Sequence, residues 1–232
     1  MAHNRYQIIS QQLQISDMDP LSYHDKFWKV WQLQDEWNTH MEHAFHSSWL
    51  VVVDKSMVSS LNPQCPGWLN VKQKPHPFGN EYHTAANRET RITFGLELVE
   101  TNHDKLTEGP HARKLLLNEM PPTAALVCHL TKSLWGYGQV IALDSGFGGI
   151  PAAVELKKKG LFSTLQIKKK AHWPAGTKAQ EMCDDLAGKE VGTIQCREDC
   201  KGNEKFWLSG LDDSKHISIM LNMWGTSIRD GK

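Results

Sequence analysis

The stretch Val140–Lys168, VIALDSGFGGIPAAVELKKKGLFSTLQIK, decides the fold. It opens with a short apolar run that ends at Asp144, turns through a glycine-rich segment and continues with a helical apolar period as far as Gly160. A second apolar run begins at Leu161. A strand, a helix and a strand in this order form a βαβ unit, whose strands are parallel neighbours joined by a right-handed crossover. The sequence therefore predicts an α/β fold.

The sequence upstream and downstream extends this unit into a larger sheet. Ser48–Asp54 is a second apolar, β-branched run that ends in an acid, which is typical of a buried strand. The apolar period predicts a helix or a pair of helices over residues 21–46, and alternation predicts a hairpin whose second strand is Arg91–Glu100. Residues 171–188 are predicted to form a connection. Three further strands are predicted, at 190–196, 204–209 and 215–222.

Length and composition limit the class of protein. The 232 residues carry 26 Lys plus Arg and 26 Asp plus Glu, and they suit one domain over residues 21–232 after a polar segment over residues 1–20. No apolar run is long enough to span a membrane, and the N-terminus lacks the apolar stretch of a signal peptide. Five cysteines, an odd count, favour a reducing intracellular compartment over secretion.

Two carboxylates carry the candidate chemistry. Asp54 and Asp144 each follow a buried apolar run, and the carboxyl ends of strands are where α/β folds bind ligands. Two such carboxylates on adjacent strands can share a hard divalent cation that activates a water or a 3′-hydroxyl. The alternative is structural, since Asp often caps the turn that follows a strand.

Several motifs occur in the same order and at similar spacing in one known family. They are Asp54–Met57, Cys65–Trp68, Lys74–His83, Leu143–Phe147 with the helix, strand and Lys168 that follow, and Lys215–Leu221. Over roughly residues 20 to 228, the chain resembles the transposase domain of piggyBac-type transposable elements.

The resemblance implies a fold, an activity and a site. The implied fold is an RNase H-like mixed sheet with flanking helices, and the implied activity is DNA strand cleavage followed by strand transfer. Asp54 and Asp144 would be the first two members of a catalytic Asp triad that binds Mg²⁺ or Mn²⁺. The resemblance also implies DNA as the partner, a homodimer and a location in the nucleus.

The chain departs from the family pattern at two places. Lys55 stands where the family usually has an acid. The family's third Asp lies beyond the strand that corresponds to 215–222, and no matching segment occurs before Lys232. The resemblance therefore implies a transposase domain that is truncated, incomplete at the C-terminus and catalytically defective. Three remaining acids do not match the motif and are not assigned to the site: Asp212, Asp213 and Asp230.

The balanced net charge conceals a basic segment. Residues 157–170 hold six Lys and no acid, and an aromatic residue follows them. Lysine clusters neutralise DNA phosphates, and a Trp can stack on an unpaired base. The alternative for the first cluster is a solvated helix end, where Lys suits the helix dipole. The candidate DNA contacts are Lys157, Lys158, Lys159, Lys168, Lys169, Lys170 and Trp173.

Two other functions remain open from the sequence. One is a domesticated DNA- or protein-binding module that keeps the fold but has lost catalysis. The other is a metabolic α/β enzyme that uses Gly146–Gly149 as a phosphate loop. The second hypothesis is weak because the loop lacks the Gly-x-Gly-x-x-Gly order and a Walker lysine.

Overall fold

The computed structural model describes residues 27–72, 74–100, 120–201, 204–213 and 216–222, together with Arg5 and Ile8. The predicted segment over residues 1–20 otherwise lies outside the described residues. Four α-helices are described: α1 (Trp28–Ala44), α2 (Pro122–Leu130), α3 (Ile150–Lys158) and α4 (Ala179–Leu186). Nine strands are described: β1 (Leu50–Ser59), β2 (Trp68–Asn70), β3 (Phe78–Asn87), β4 (Thr93–Leu98), β5 (Val140–Leu143), β6 (Phe162–Gln166), β7 (Ile194–Lys201), β8 (Glu204–Asp213) and β9 (His216–Asn222).

The nine strands form one mixed sheet, as predicted. Their order is β2-β3-β1-β5-β6-β9-β8-β7, and β4 pairs with β3 beside β2. The three central strands β1, β5 and β6 are parallel, and the other pairings are antiparallel. The predicted βαβ unit is confirmed as β5, α3 and β6, and the predicted hairpin as β3 and β4.

The central strands hold the apolar core. Val51 and Val53 of β1 and Ile141 and Leu143 of β5 are at most 5% exposed. They belong to one cluster of buried residues that also takes in side chains of α2, α3 and β6. Each fully buried side chain of this size stabilises the fold by about 1.5–3 kcal/mol. The core therefore fixes how β1 and β5 lie against each other.

Helix α1 covers the exposed edge of β4 with two amide side chains one turn apart. Asn38 accepts a hydrogen bond from Leu96 N and donates one to Leu96 O, both at 2.9 Å. Gln34, which is 3% exposed, accepts one from Leu98 N at 2.8 Å. The two amides occupy backbone positions that a further strand would otherwise pair with, so α1 protects this edge from pairing with another chain.

The structure corrects the prediction of a connection over residues 171–188, because Ala179–Leu186 forms α4. Its buried residues Ala179, Met182 and Leu186 recur at helical spacing. A Cβ at Gly210 of β8 would lie 2.8 Å from Leu186 Cδ1, so the glycine allows the helix to lie close on the sheet. The helix is short, and the Pro and Gly before it concealed its period.

No helix among the described residues is both long enough and apolar enough to cross a membrane.

The amide pairing of α1 with β4 predicts a specific loss of stability. Asn38→Ala leaves the N–H and C=O of Leu96 without these partners in a half-buried position, which costs about 1–3 kcal/mol. Urea unfolding followed by far-UV circular dichroism measures the change. His40→Ala, on an exposed position of the same helix, serves as the control. Equal free energies of unfolding for the two variants would contradict the edge-covering role.

Candidate active site

The parallel register of β1 and β5 places Asp54 beside Asp144. The last paired residues of the two strands are Val53 and Leu143. Asp54 is the next residue of β1 and Asp144 is the residue that follows β5, and neighbouring strands lie about 4.8 Å apart. Both aspartates are exposed, whereas the residues just before them are buried. The two carboxylates therefore lie together at the carboxyl edge of the central strands, where α/β folds bind ligands.

The carboxylate of Asp144 organises the turn that follows β5. Its Oδ1 accepts hydrogen bonds from Gly146 N at 2.8 Å and Phe147 N at 3.2 Å. Gly148 N donates to the backbone oxygen of Asp144 at 2.7 Å, and α3 begins two residues later. Among the described residues, Asp144 Oδ2 has no hydrogen-bond partner. Asp144 therefore caps the turn and still has an oxygen available for a ligand.

Asp54 does not end its strand, which corrects the sequence prediction. β1 continues for five residues to Ser59, because Asp54–Ser59 pairs in register with Gly79–Thr84 of β3. Only the apolar part of the strand ends at Asp54. Its Oδ1 accepts a hydrogen bond from Lys55 N at 2.7 Å. The pairing with β3 therefore holds the backbone at Asp54, and the pairing with β5, which ends at Val53, sets its position relative to Asp144.

Beside the aspartates lies a polar cluster that sequence reasoning missed. Lys55 of β1 pairs in register with His83 of β3, and Lys55 Nζ lies 3.6 Å from Glu81 Oε1. Glu81 Oε1 also lies 3.3 Å from His83 Nε2. The buried ring of Phe147 meets the His83 ring edge to face at 5.1 Å and lies 5.8 Å from Lys55 Nζ. The only signal of this cluster in the sequence was that Glu81 and His83 are ionisable and stand two residues apart in a half-buried strand.

Burial sets the protonation state of His83. It lowers the pKa of the imidazole below its ordinary value of 6.5. The Lys55 ammonium lowers it further, and the Glu81 carboxylate opposes both without cancelling them. His83 is therefore neutral at pH 7. The charge that faces the Glu81 carboxylate is the Lys55 ammonium.

A cleft of about 500 Å³ opens next to the turn after Asp144. Its walls come from the start of α2, the turn and start of α3, and the segment after β6. Lys168, Lys169, His172 and Trp173 line it, and no acid does. The indole of Trp173 donates to Ile167 O at 3.2 Å, which fixes the ring at the cleft. The basic and aromatic residues after β6 therefore lie on the same edge of the sheet as Asp144.

The two lysine runs lie at opposite ends of the central strands, one at their carboxyl ends and the other at their amino ends. Lys168–Lys170 follow the carboxyl end of β6, whereas Lys157–Lys159 end α3, which runs back about 13 Å from the Asp144 edge. Lys158 Nζ pairs with Glu155 Oε1 at 2.6 Å, and Lys159 Nζ lies 4.3 Å from the Trp135 ring centroid. The structure therefore places Lys168–Lys170 at the same end of the strands as the aspartates and Lys157–Lys159 at the opposite end.

The aspartate pair fits a hard divalent cation in the kind of donor it offers. Mg²⁺ in proteins takes one or two carboxylates and fills its other positions with water and phosphate oxygens. No group of three or more His, Cys, Asp or Glu residues within the described part of the chain is arranged to hold an ion. Asp213 ends β8, three strands from β5, so it lies more than about 14 Å from Asp144. The described residues therefore offer two carboxylates, those of Asp54 and Asp144, at this edge of the sheet.

The sequence matches the family model described as Transposase IS4 over residues 1–229. This chain belongs to the IS4 transposase family. No curated protein matches the sequence significantly.

A solved structure supports the fold of this transposase family member. The structure of a piggyBac transposase synaptic complex with hairpin DNA superimposes with a TM-score of 0.75 at 17% sequence identity. The match covers 100% of this chain and 45% of the piggyBac chain, so this chain spans less than half of that protein. The two comparisons confirm the resemblance to a piggyBac-type transposase domain and the RNase H-like mixed sheet. Transposases of this family generally use divalent metal ions.

The turn of this transposase domain has no room for a side chain at Gly148. A Cβ there would lie 2.5 Å from Gln166 O and 2.8 Å from Asp144 O, both backbone atoms. We expect Gly148→Ala to cost about 1–3 kcal/mol in the free energy of unfolding, because the turn has to move. Gly149→Ala is the matched control, since its nearest neighbour is Pro151 Cδ at 3.7 Å. Chemical denaturation of both variants measures the difference, and similar losses would show that the turn is not tightly packed.

The lowered pKa of His83 predicts a dependence of stability on pH. Below about pH 6.5 the unfolded chain takes up a proton at this histidine that the folded chain resists. The free energy of unfolding therefore falls as the pH drops from 6.5 towards the folded pKa, by up to about 1.4 kcal/mol per pH unit. His83→Gln removes this contribution, so its stability should vary less between pH 5.5 and 6.5. Parallel pH profiles for the two proteins would mean that His83 protonates equally in both states.

Proposed function

We propose that this chain is the strand-cleavage and strand-transfer core of a DNA transposase. The observation that carries the proposal is the placement of Asp54 beside Asp144 at one edge of the sheet by the β1–β5 register. The family match supports it, and so does the solved piggyBac relative, whose complex contains hairpin DNA. The substrate would be a phosphodiester of DNA at a transposon end, which is cut to free a 3′-hydroxyl that then attacks target DNA.

Asp54 and Asp144 would hold Mg²⁺ or Mn²⁺ in this core. A bound divalent cation supplies Lewis-acid chemistry: it polarises a phosphate oxygen and makes a coordinated water or hydroxyl a better nucleophile. The protein's own contribution is to keep the two carboxylates in place. The backbone N–H groups of Gly146 and Phe147 orient Asp144, and the β3 pairing holds Asp54.

The DNA would lie along the basic cleft. Lys168, Lys169 and Lys170 follow β6 at the Asp144 edge and are exposed, so they are in position to neutralise phosphates near the cleaved bond. The half-buried indole ring of Trp173 could stack on an unpaired base. Lys157–Lys159 would contact DNA only where it extends beyond the far edge of the sheet.

Assembly and location follow from the same proposal. The piggyBac relative is described in a synaptic complex, and we propose that this chain works as a homodimer on paired DNA ends. A protein that cuts chromosomal DNA would act in the nucleus.

A cleavage assay tests the assignment of Asp144. The substrate is a hairpin DNA oligonucleotide carrying the cognate transposon end, incubated with Mn²⁺. We expect Asp144→Asn to lower the cleavage rate by at least a hundredfold, because one of the two carboxylate ligands loses its charge. Asp213→Asn makes the same change at the end of β8 and should leave the rate unaltered. Cleavage that persists in Asp144→Asn would refute the assigned role.

A second candidate is a DNA-binding module that has lost catalysis. It is favoured by the absence of a group of three or more possible metal ligands among the described residues. This candidate predicts no cleavage with Mn²⁺ but salt-sensitive DNA binding. The double variant Lys168→Ala with Lys169→Ala should then reduce the slope of log affinity against log salt by about two. Absence of DNA binding at low salt would exclude this candidate.

A further inference from the structure

We propose that Glu81 is a positioning residue that holds the Lys55 ammonium away from the aspartate pair and so keeps the pair open to a divalent cation. This inference rests on the proposed function, because it concerns the cation affinity of Asp54 and Asp144. It assigns a role to Glu81 and Lys55, neither of which belongs to the carboxylate pair itself.

Lys55 is within reach of the carboxylates. A Cβ built on Gly146 would lie 3.5 Å from Lys55 Cε, and 3.2 and 3.5 Å from the two carboxylate oxygens of Asp144. The lysine stem and the Asp144 carboxylate thus approach the same point above Gly146. The Nζ atom is one bond beyond Cε, so a modest rotation of the side chain would bring the ammonium onto Asp144.

Instead, the ammonium lies towards Glu81. Lys55 Nζ is 3.6 Å from Glu81 Oε1, on the sheet face that it shares with His83. The ring of Phe147 flanks it at 5.8 Å, a distance at which the ring face attracts a cation. Lys55 is half exposed, with a side chain 38% accessible, so local attractions decide which way it points.

Glu81 is suited to hold this lysine. It is 8% exposed, and a carboxylate so far from water needs a partner of opposite charge. His83 contacts the same oxygen at 3.3 Å but is neutral at pH 7 and leaves the negative charge in place. The Glu81 carboxylate therefore attracts the Lys55 ammonium.

Neutralising Glu81 should release Lys55 towards the Asp144 carboxylate. There the ammonium would compete with a divalent cation for the carboxylate oxygens of Asp144. The strength of a half-exposed ion pair is modest, so the expected loss of cation affinity is about fivefold. Glu81 also adds a negative charge near the site, and its loss would weaken cation binding slightly even without Lys55.

A titration with Mn²⁺ separates these two effects. Isothermal calorimetry would be run on the full chain as wild type, Glu81→Gln, Lys55→Met and the double variant. We expect Glu81→Gln to weaken Mn²⁺ binding about fivefold, and Lys55→Met to leave it equal or tighter. In the Lys55→Met background, Glu81→Gln should have less than a twofold effect. An equal effect in both backgrounds, or none in either, would overturn the proposal.

Two controls keep the test decisive. Glu81→Asp keeps the charge but shortens the side chain beyond reach of Lys55, so it should weaken Mn²⁺ binding in the same direction if Glu81→Gln fails to fold. Asp144→Asn reports on the proposed function itself. Binding that is lost in Asp144→Asn but unchanged by both Glu81 variants refutes only this inference. Absence of Mn²⁺ binding in every variant, wild type included, refutes the proposed cation site and this inference with it.

Discussion

The parallel pairing of β1 with β5 is the constraint on which the rest of the structure depends. Four register pairs, from Leu50 with Val140 to Val53 with Leu143, bring two buried apolar runs together. A shift by one residue would turn every core side chain of one strand to the opposite face, so burial of these residues fixes the register. The position of Asp54 beside Asp144 follows from that register alone, so no attraction between the two side chains is needed to bring them together.

Two adjacent carboxylates are unfavourable for the fold and useful for chemistry. Like charges at this spacing repel, and several features lessen the repulsion. Both side chains are exposed to water, and Asp144 accepts hydrogen bonds from two backbone N–H groups. A cation between the carboxylates would remove the remaining repulsion. Repulsion retained at the ligand-binding edge of a sheet is consistent with the cation site that we propose.

The sequence predicted the elements whose signal is local. The β5–α3–β6 unit has two short apolar runs, a helical period and glycines at its turns, and each can be identified without the rest of the fold. Asp144 was found for the same reason, since it follows the end of an apolar run. Helix α4 was missed because its eight residues contain too few turns for the period to stand out after Pro174 and Gly176.

Features that depend on pairing between distant segments could not be predicted. The extension of β1 beyond Asp54 depends on its pairing with β3, which begins about 20 residues further along the chain. The cluster of Lys55 and Glu81 depends on the same register, and nothing local joins the two residues. Likewise, the two lysine runs are close in sequence, but α3 lies between them and sends them to opposite edges of the sheet.

The most direct test of the account is a crystal structure of the chain soaked in Mn²⁺, with anomalous diffraction recorded near the manganese absorption edge. The account predicts an anomalous peak within about 2.5 Å of carboxylate oxygens of both Asp54 and Asp144. It also predicts that Lys55 remains directed towards Glu81. No peak at the pair under saturating Mn²⁺, or a peak held by other residues, would contradict the claim that the β1–β5 register builds a cation site.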